Sequence, residues 1–347
     1  IRDDDATGSP VSLRSTLERV RYQYVPDHVL GEILSKRWID NAIPFTVLVL
    51  VVVSFGMLIP GIYAPVSFAI SARQRGEVGL VCLAMMTVVI SCGIDLSVGS
   101  NFALGNLVTL YLLNLQGWPI WAAVLCAILA CALMGLFTGI LVGYLRLRAF
   151  LTTLVTLIII RALVDLLLLA YAQPISVRFF DNDIWDFVGA GGLWGIPTSF
   201  LAFALIGVLG HVILSRSRPG WRAMAIGGSR RSAHNIGIAV RRPVCATYVI
   251  SGMLCGVASV FYAARLGGVG TDTGYGLEIL TLTAVVLGGI SLGGGRGSVI
   301  KAAMGAVIVL VMTNGVIRLG LNAGSGALIL GLTLIFGVFV DVKWFTP

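Results

Sequence analysis

Asp95, Asp165 and Glu278 are carboxylates that fall within or beside stretches otherwise built of apolar residues. A charge at the centre of a membrane helix costs about 2.5–3.5 kcal/mol on insertion scales, so each needs a partner, a cavity or a helix end. Asp165 follows Arg161 by four residues, which puts both on one helical face, where an ion pair is expected. Glu278 opens an apolar segment and is expected at its outer boundary or lining its mouth. Asp95 lies in "SCGIDLSVGSNFAL", residues 91–104, where Gly93, Asp95, Ser97 and Gly99 form a compact motif. An Asp or Ser there can accept hydrogen bonds from the free N–H groups of a helix's first turn, and the helix dipole favours a carboxylate at that end. Direct contact with a transported solute is the alternative role for Asp95, and a proton relay through the three carboxylates is the alternative chemistry for the set.

The elements that must hold these groups follow from composition. Of 347 residues, 57 % are hydrophobic and only 12 % charged, where a soluble domain carries about 25 % charged residues. Apolar windows of roughly 20 residues recur along the chain, each long enough to cross a bilayer core as a helix. The fold class is therefore all-α polytopic membrane protein, with ten candidate spans at 42–62, 76–93, 98–115, 119–144, 149–172, 196–214, 243–263, 277–289, 298–319 and 325–340. The chain begins at Ile1 rather than Met, as a chain lacking part of its N-terminus would. Residues 1–41 form a polar tail without the apolar core of a secretory signal, ending in "HVLGEILSKRW". There Leu30, Leu34 and Trp38 share one face, as in an amphipathic helix lying in the inner interface.

The +8 charge is a matter of topology rather than of nucleic-acid binding. With the N-terminus inside, 18 of the 24 Lys and Arg residues fall on one side, which puts both termini in the cytoplasm. The long outer segment 173–195 carries Asp181, Asp183, Asp186, Phe179, Phe180, Trp185 and Trp194, suited either to docking a partner or to anchoring at the interface.

Several chemistries are excluded. There is no GxxxxGK[ST] sequence, so this chain should not hydrolyse ATP by itself. His28, His211 and His234 are far apart, the six cysteines sit in apolar segments without ligand spacing, and neither a metal site nor a catalytic constellation results. The stretch "ISLGGGRGS", 290–298, follows a span rather than a strand and reads as a tight turn between helices. Its similarity to "GIDLSVGS" raises the possibility of a parallel repeat. The inner loop 216–242 carries seven arginines and no acid around a small-residue core, Ala223–Ile238. It can lie on another protein or bind anionic lipid.

The blocks "GIDLSVGS" (93–100), "RLRAFLTTL" (146–154), "AIGGSRRSAHNIGI" (225–238), "YVISGMLCGVASV" (248–260) and "AVVLGGISLGGGRGS" (284–298), with "TNG" at 313–315, occur in order. Over residues 42–344 the sequence resembles the membrane permease subunits of ribose-type sugar importers of the ATP-binding-cassette class. The resemblance implies a permease domain over 42–344 in the bacterial inner membrane. Its partners would be a cytoplasmic ATPase subunit, a periplasmic sugar-binding protein and a second copy of the chain. No cofactor would bind this chain, ATP and Mg residing on the ATPase. The loop 216–242 would couple to that ATPase, with Gly227, Gly228, Ala233, Gly237 and Ile238 giving its shape and Arg230 and Arg231 docking. A path for a neutral sugar or polyol needs hydroxyl and amide groups, for which Asn101, Asn106, Thr152, Thr153, Thr156, Thr281, Thr283 and Asn314 are candidates, with Glu278 at the mouth. Two departures stand out: Gly227-Gly228-Ser229 then Arg231-Ser232-Ala233 where the family has Gly-Gly-Asn then Glu-Ala-Ala, and Glu278 kept while a following Asp is lost.

Overall fold

In the computed structural model, residues 39–177, 180–321 and 323–344 are described. The tail before residue 39, including Leu30, Leu34 and Trp38, lies outside them. The helices are α1 (Ile39–Leu58), α2 (Pro65–Ile90), α3 (Val98–Leu110), α4 (Ile120–Gly143), α5 (Ala149–Val177), α6 (Asp183–Ala190), α7 (Thr198–Arg216), α8 (Arg218–Gly228), α9 (Arg230–Asn235), α10 (Arg241–Leu266), α11 (Leu277–Leu287), α12 (Val299–Arg318) and α13 (Ala323–Trp344). α3 runs on as a π-turn over Tyr111–Leu115. A two-residue antiparallel pair, β1 (Gly192–Leu193) and β2 (Ile196–Pro197), is the sheet among the described residues. Each of the ten apolar windows overlaps a helix, although α2 starts at Pro65, well before its window at 76–93, and among the described residues six helices are long and apolar enough to cross a membrane. The chain is thus an all-α, polytopic membrane protein.

The interior is organised around α2 and α3. From Leu80 to Ile90 every α2 residue except Thr87 is buried, packing with Phe102 of α3, Phe203 of α7, Cys255 and Ala258 of α10, Leu282 and Val285 of α11 and Val299 of α12. Along α3 all but Val108 are buried. A helix buried on every side has no amphipathic stripe, which is why apolar run length and not periodicity locates it. Outer helices instead leave one apolar face open: Leu125, Leu129, Leu133 and Ile140 on α4, and Leu205, Val208, Leu209 and Val212 on α7. In lipid, such faces are satisfied without a protein partner.

Small residues set how closely helices approach. On α4, Ala123, Ala127, Cys131, Gly135, Gly139 and Gly143 recur every four residues and are all buried. They face α10 in antiparallel order: a Cβ on Gly135 would lie 2.3 Å from the Tyr248 carbonyl oxygen, one on Gly139 2.8 Å from that of Cys245, and one on Gly143 2.9 Å from that of Arg241. From the other side, Gly252 would meet the Cys131 carbonyl at 2.3 Å. Close backbone approach replaces the hydrophobic drive that lipid cannot supply. Of the cysteines, Cys82, Cys131, Cys245 and Cys255 are buried in this packing, whereas Cys92 is exposed.

Gly135→Leu should therefore force α4 and α10 apart, at an overpacking cost of about 1–3 kcal/mol or more. Gly331→Leu, where an added Cβ meets nothing within 4 Å, should be tolerated. Thermal unfolding of the two variants in detergent checks this: equal melting temperatures would contradict the packing argument.

Candidate functional site

Three chain segments converge where α2 ends. The first is the turn from α2 into α3. Cys92 takes φ of +60°, and the N–H groups of Cys92 and Gly93 donate to the carbonyls of Val89 and Val88, at 2.9 and 3.2 Å, closing the helix. The second is the turn from α11 to α12, where Gly289 has φ of +78° and the N–H groups of Gly289 and Ile290 donate to Val286 and Val285 in the same pattern, at 2.9 and 3.2 Å. The likeness extends one step further: Ser97 N–H donates to Asp95 Oδ1 and Gly293 N–H to Ser291 Oγ, each two residues on. The two hairpins noted for their sequence likeness thus share two local devices.

The third segment is the basic loop, folded as α8 and α9. Ser217 caps α8 through Gly220 N–H and Ser229 caps α9 through Ser232 N–H. Both helices are short, so caps and docking rather than propensity sustain them. Gly237, with φ of +84°, ends α9. Ile226 and Ala233 are buried in one cluster with Val88 of α2, Val142 of α4, and Val244 and Tyr248 of α10, with Ile238 packed against it. All seven arginines, Arg216, Arg218, Arg222, Arg230, Arg231, Arg241 and Arg242, are exposed. One side of the loop is therefore anchored among three helices and the other is a cationic surface.

The three segments meet backbone to backbone. Gly295 N–H donates to the Ile90 carbonyl at 2.9 Å. Gly227 sits over this bond so closely that a Cβ would fall 1.9 Å from Ile90 O and 2.3 Å from Gly295 N. Gly294 and Gly295 take φ of +79° and +71°, and their own Cβ positions would strike Cys92 and the Gly228 amide. Gly227 is thus fixed by contact, while Gly228 has open space at its Cβ position. Arg230 Nη2 reaches the Cys92 carbonyl at 3.5 Å, turning back toward the junction, whereas Arg231 makes no such contact and faces outward.

Asp95 lies just beyond. Its carboxylate is 4 % exposed. Oδ1 accepts from Ser97 N–H at 3.0 Å and Ser97 Oγ–H at 2.6 Å, and Oδ2 accepts from Ser251 Oγ–H of α10 at 2.9 Å. This corrects the helix-cap expectation: the α3 N-cap is Ser97, which makes no side-chain cap bond, and Asp95 bonds Ser97 itself rather than the amides of the first turn. The carboxylate is a cross-link between the motif and α10. Ser251 was not singled out from the sequence; its place in the small-residue run "YVISGMLCG" was the available signal. Gly93, against the Tyr248 hydroxyl, and Gly99, against the Glu278 carboxylate and Gly274 O, leave no room for a Cβ.

The Arg161–Asp165 pair does not form. Arg161 Nη1 donates to the carbonyls of Thr273 and Thr271 at 2.8 and 3.4 Å, and Asp165 Oδ1 is buried without a partner. The expected path groups are bound into the helix framework. Thr152, Thr156, Thr281 and Thr283 return their hydroxyls to carbonyls of the preceding turn; Thr153 bonds Ile94 O, Asn101 bonds Cys131 O and Asn106 bonds Gly268 O. Asn314 is buried with its amide nitrogen unpaired. None of these lines the larger cavity of about 350 Å³, which is bordered instead by Arg75, Glu77, Phe102, Tyr262, Arg265 and Tyr275.

The fold and this junction define a multi-pass helical membrane protein with a cationic loop seated by bare backbone on its helix ends. The chain belongs to the permease family described as "Branched-chain amino acid transport system / permease component", which matches residues 68–338. It is similar to the ribose import permease protein of Escherichia coli strain K12, 27 % identical over 310 residues that cover 89 % of this chain and 96 % of that protein. The fructose import permease protein of Rhizobium meliloti is 31 % identical over 312 residues, 87 % of this chain and 85 % of that one. The ribose import permease protein of Bacillus subtilis strain 168 is 30 % identical over 300 residues, 86 % and 92 % of the two chains. No solved structure gives a significant match.

Ser251→Ala should leave one oxygen of the buried carboxylate without its donor, at a cost of about 1–3 kcal/mol. With Asp95→Asn as second variant, a double-mutant cycle by unfolding in mixed detergent should be non-additive by more than about 0.5 kcal/mol. Additive effects would break the assignment of Asp95 as a cross-link to α10.

Proposed function

We propose that the chain is the membrane permease subunit of an ATP-binding-cassette importer in the bacterial cytoplasmic membrane, and that it conducts a sugar or related polyol. The observation that carries this reading is the junction of Gly227, Ile90 and Gly295, on which an acid-free loop with seven exposed arginines is seated. The names of the relatives, which transport ribose or fructose, support the solute class. In this reading the helices make ten crossings with both termini in the cytoplasm, as the distribution of Lys and Arg favours. Two copies form the path, a periplasmic binding protein delivers the solute, and a cytoplasmic ATPase carrying ATP and Mg docks on α8 and α9.

Closure of the ATPase pushes on α8 and α9, and their buried side passes the push on. Gly227 bears on the Ile90 carbonyl, Arg230 on the Cys92 carbonyl, and Ile226 on Val88, so the end of α2 moves with the loop. The same turn leads within three residues to Asp95 and through Ser251 to α10. Closely packed helices transmit such displacements because their contacts are not compressible. A single push at the loop is thus delivered to α2, α3, α10 and α11.

Liposomes holding the permease with its ATPase and binding protein should accumulate a sugar or polyol only when ATP is supplied. Arg230→Glu with Arg231→Glu should abolish accumulation and weaken ATPase capture in a pull-down, with membrane insertion intact. Uptake by the permease alone under a pH gradient, or unchanged capture by the double variant, would contradict the proposal.

A further inference from the structure

The cavity bordered by Arg75, Glu77, Phe102, Tyr262, Arg265 and Tyr275 brings charged and aromatic side chains together. Glu77 of α2 and Arg265 at the end of α10 form an ion pair across it, with side chains only 5 % and 17 % exposed. The pair is incompletely satisfied: Glu77 Oε2 and Arg265 Nε are buried without hydrogen-bond partners. The carboxylate of Glu77 and the guanidinium of Arg265 set an acceptor and a donor side by side on the cavity wall, a combination that matches a solute hydroxyl, which both donates and accepts. Tyr262 is fixed beneath them by an edge contact with Phe102 at 5.1 Å and by the Arg265 guanidinium 5.3 Å from its ring. Tyr275 is 82 % exposed and offers a free ring face. The volume of about 350 Å³ fits a small solute, since ligand sites run from roughly 300 Å³ upward.

The charges on this wall do not cancel. Arg265 neutralises Glu77, which leaves Arg75, a lining residue with no hydrogen-bond partner among the described residues. Its charged neighbours are Glu77 and Arg265 themselves. Glu278 lies nearby against Gly99 and Gly274, but it has Arg161 as its own positive neighbour, and Asp272 is exposed and does not line the cavity. A guanidinium without a protein partner among the described residues, beside the Glu77–Arg265 pair, is complementary to a carboxylate carried on a polyhydroxylated chain or ring.

We infer that this chamber is a solute-binding station whose preferred occupant is a hydroxylated monoanion, a sugar acid rather than a neutral sugar. Arg75 receives the carboxylate, Glu77 and Arg265 receive hydroxyls, and Tyr275 covers the C–H face. The inference rests on the importer reading and replaces its neutral solute by a charged one of the same polyhydroxylated kind. A phospholipid headgroup with an anion and hydroxyls shares this chemistry, so the test separates the two.

Purified permease in phosphatidylcholine nanodiscs is titrated by saturation-transfer NMR with D-ribonate, with ribitol, which has the same carbon chain and no charge, and with pentanoate, which has the carboxylate and no hydroxyls. D-ribonate should bind at least about tenfold more tightly than either, as expected for a charge-assisted contact joined to hydroxyl contacts. Arg75→Gln should remove the preference over ribitol and leave weak binding of both hydroxylated probes. Equal binding of D-ribonate and ribitol, binding of pentanoate as tight as D-ribonate, or no binding of any probe overturns the inference, and the comparison on the unaltered protein decides even if the variant fails to fold. Adding phosphatidylglycerol to the nanodiscs should leave the D-ribonate signal unchanged; its displacement would assign the chamber to lipid and overturn the inference as well. Each of these failures leaves ATP-dependent uptake in liposomes as a separate result, so the importer reading stands or falls on its own measurement.

Discussion

The carbonyl of Ile90 is the point on which the rest of the structure depends. It ends α2, the helix buried among five others, and it accepts its hydrogen bond from Gly295 in a different hairpin. Gly227, from a third segment, covers that bond with no space for a single carbon atom. Backbone contact of this kind has no side-chain slack, so displacement of α8 and α9 cannot be absorbed by rotamer change. The positive φ angles at Cys92, Gly294 and Gly295 belong to the same constraint, since the chain must turn sharply at each place to bring three backbones together.

The same economy of side chains appears along the membrane helices. The four-residue stripe from Ala123 to Gly143 on α4 lets α10 approach until carbonyls and glycines touch. Polar residues then act within this framework as fasteners: Asp95 to Ser251, Thr153 to Ile94, Asn101 to Cys131, Asn106 to Gly268. The cavity beside Arg75, Glu77 and Arg265 is different in kind, because there three charged side chains gather around open space. Framework and cavity meet on α2, which carries Glu77 near the chamber and Ile90 at the junction.

Much of this was legible from sequence. Most of the apolar windows lie within a few residues of helices, because apolar run length bounded by Gly, Pro or charge is a strong local signal; α2 instead starts at Pro65, well before the window at 76–93, because Arg73, Arg75 and Glu77 interrupt its apolar run. The motif 93–100 and the loop 225–238 were recognisable as blocks, and both proved to sit at one junction. What local reading could not give was pairing. Arg161 and Asp165 share a helical face, yet the carbonyls of Thr271 and Thr273, more than a hundred residues away in sequence, take the guanidinium. Asp95 precedes a helix start, yet Ser251 takes half of its carboxylate. The threonines and asparagines have the right chemistry for a polyol, but Thr152, Thr156, Thr281 and Thr283 bond carbonyls one turn back, and Thr153, Asn101 and Asn106 bond carbonyls of other segments. Glu77 and Arg265 pair across 188 residues, and no spacing rule connects them.

The central claim is that Gly227 transmits the push of the ATPase to Ile90 by direct backbone contact. Its most direct measurement is the uptake achieved per ATP hydrolysed in proteoliposomes containing the assembled transporter with Gly227→Ala. The account predicts that ATPase association and ATP turnover persist while uptake per ATP falls at least about tenfold. Uptake that remains coupled at the unaltered ratio would contradict it.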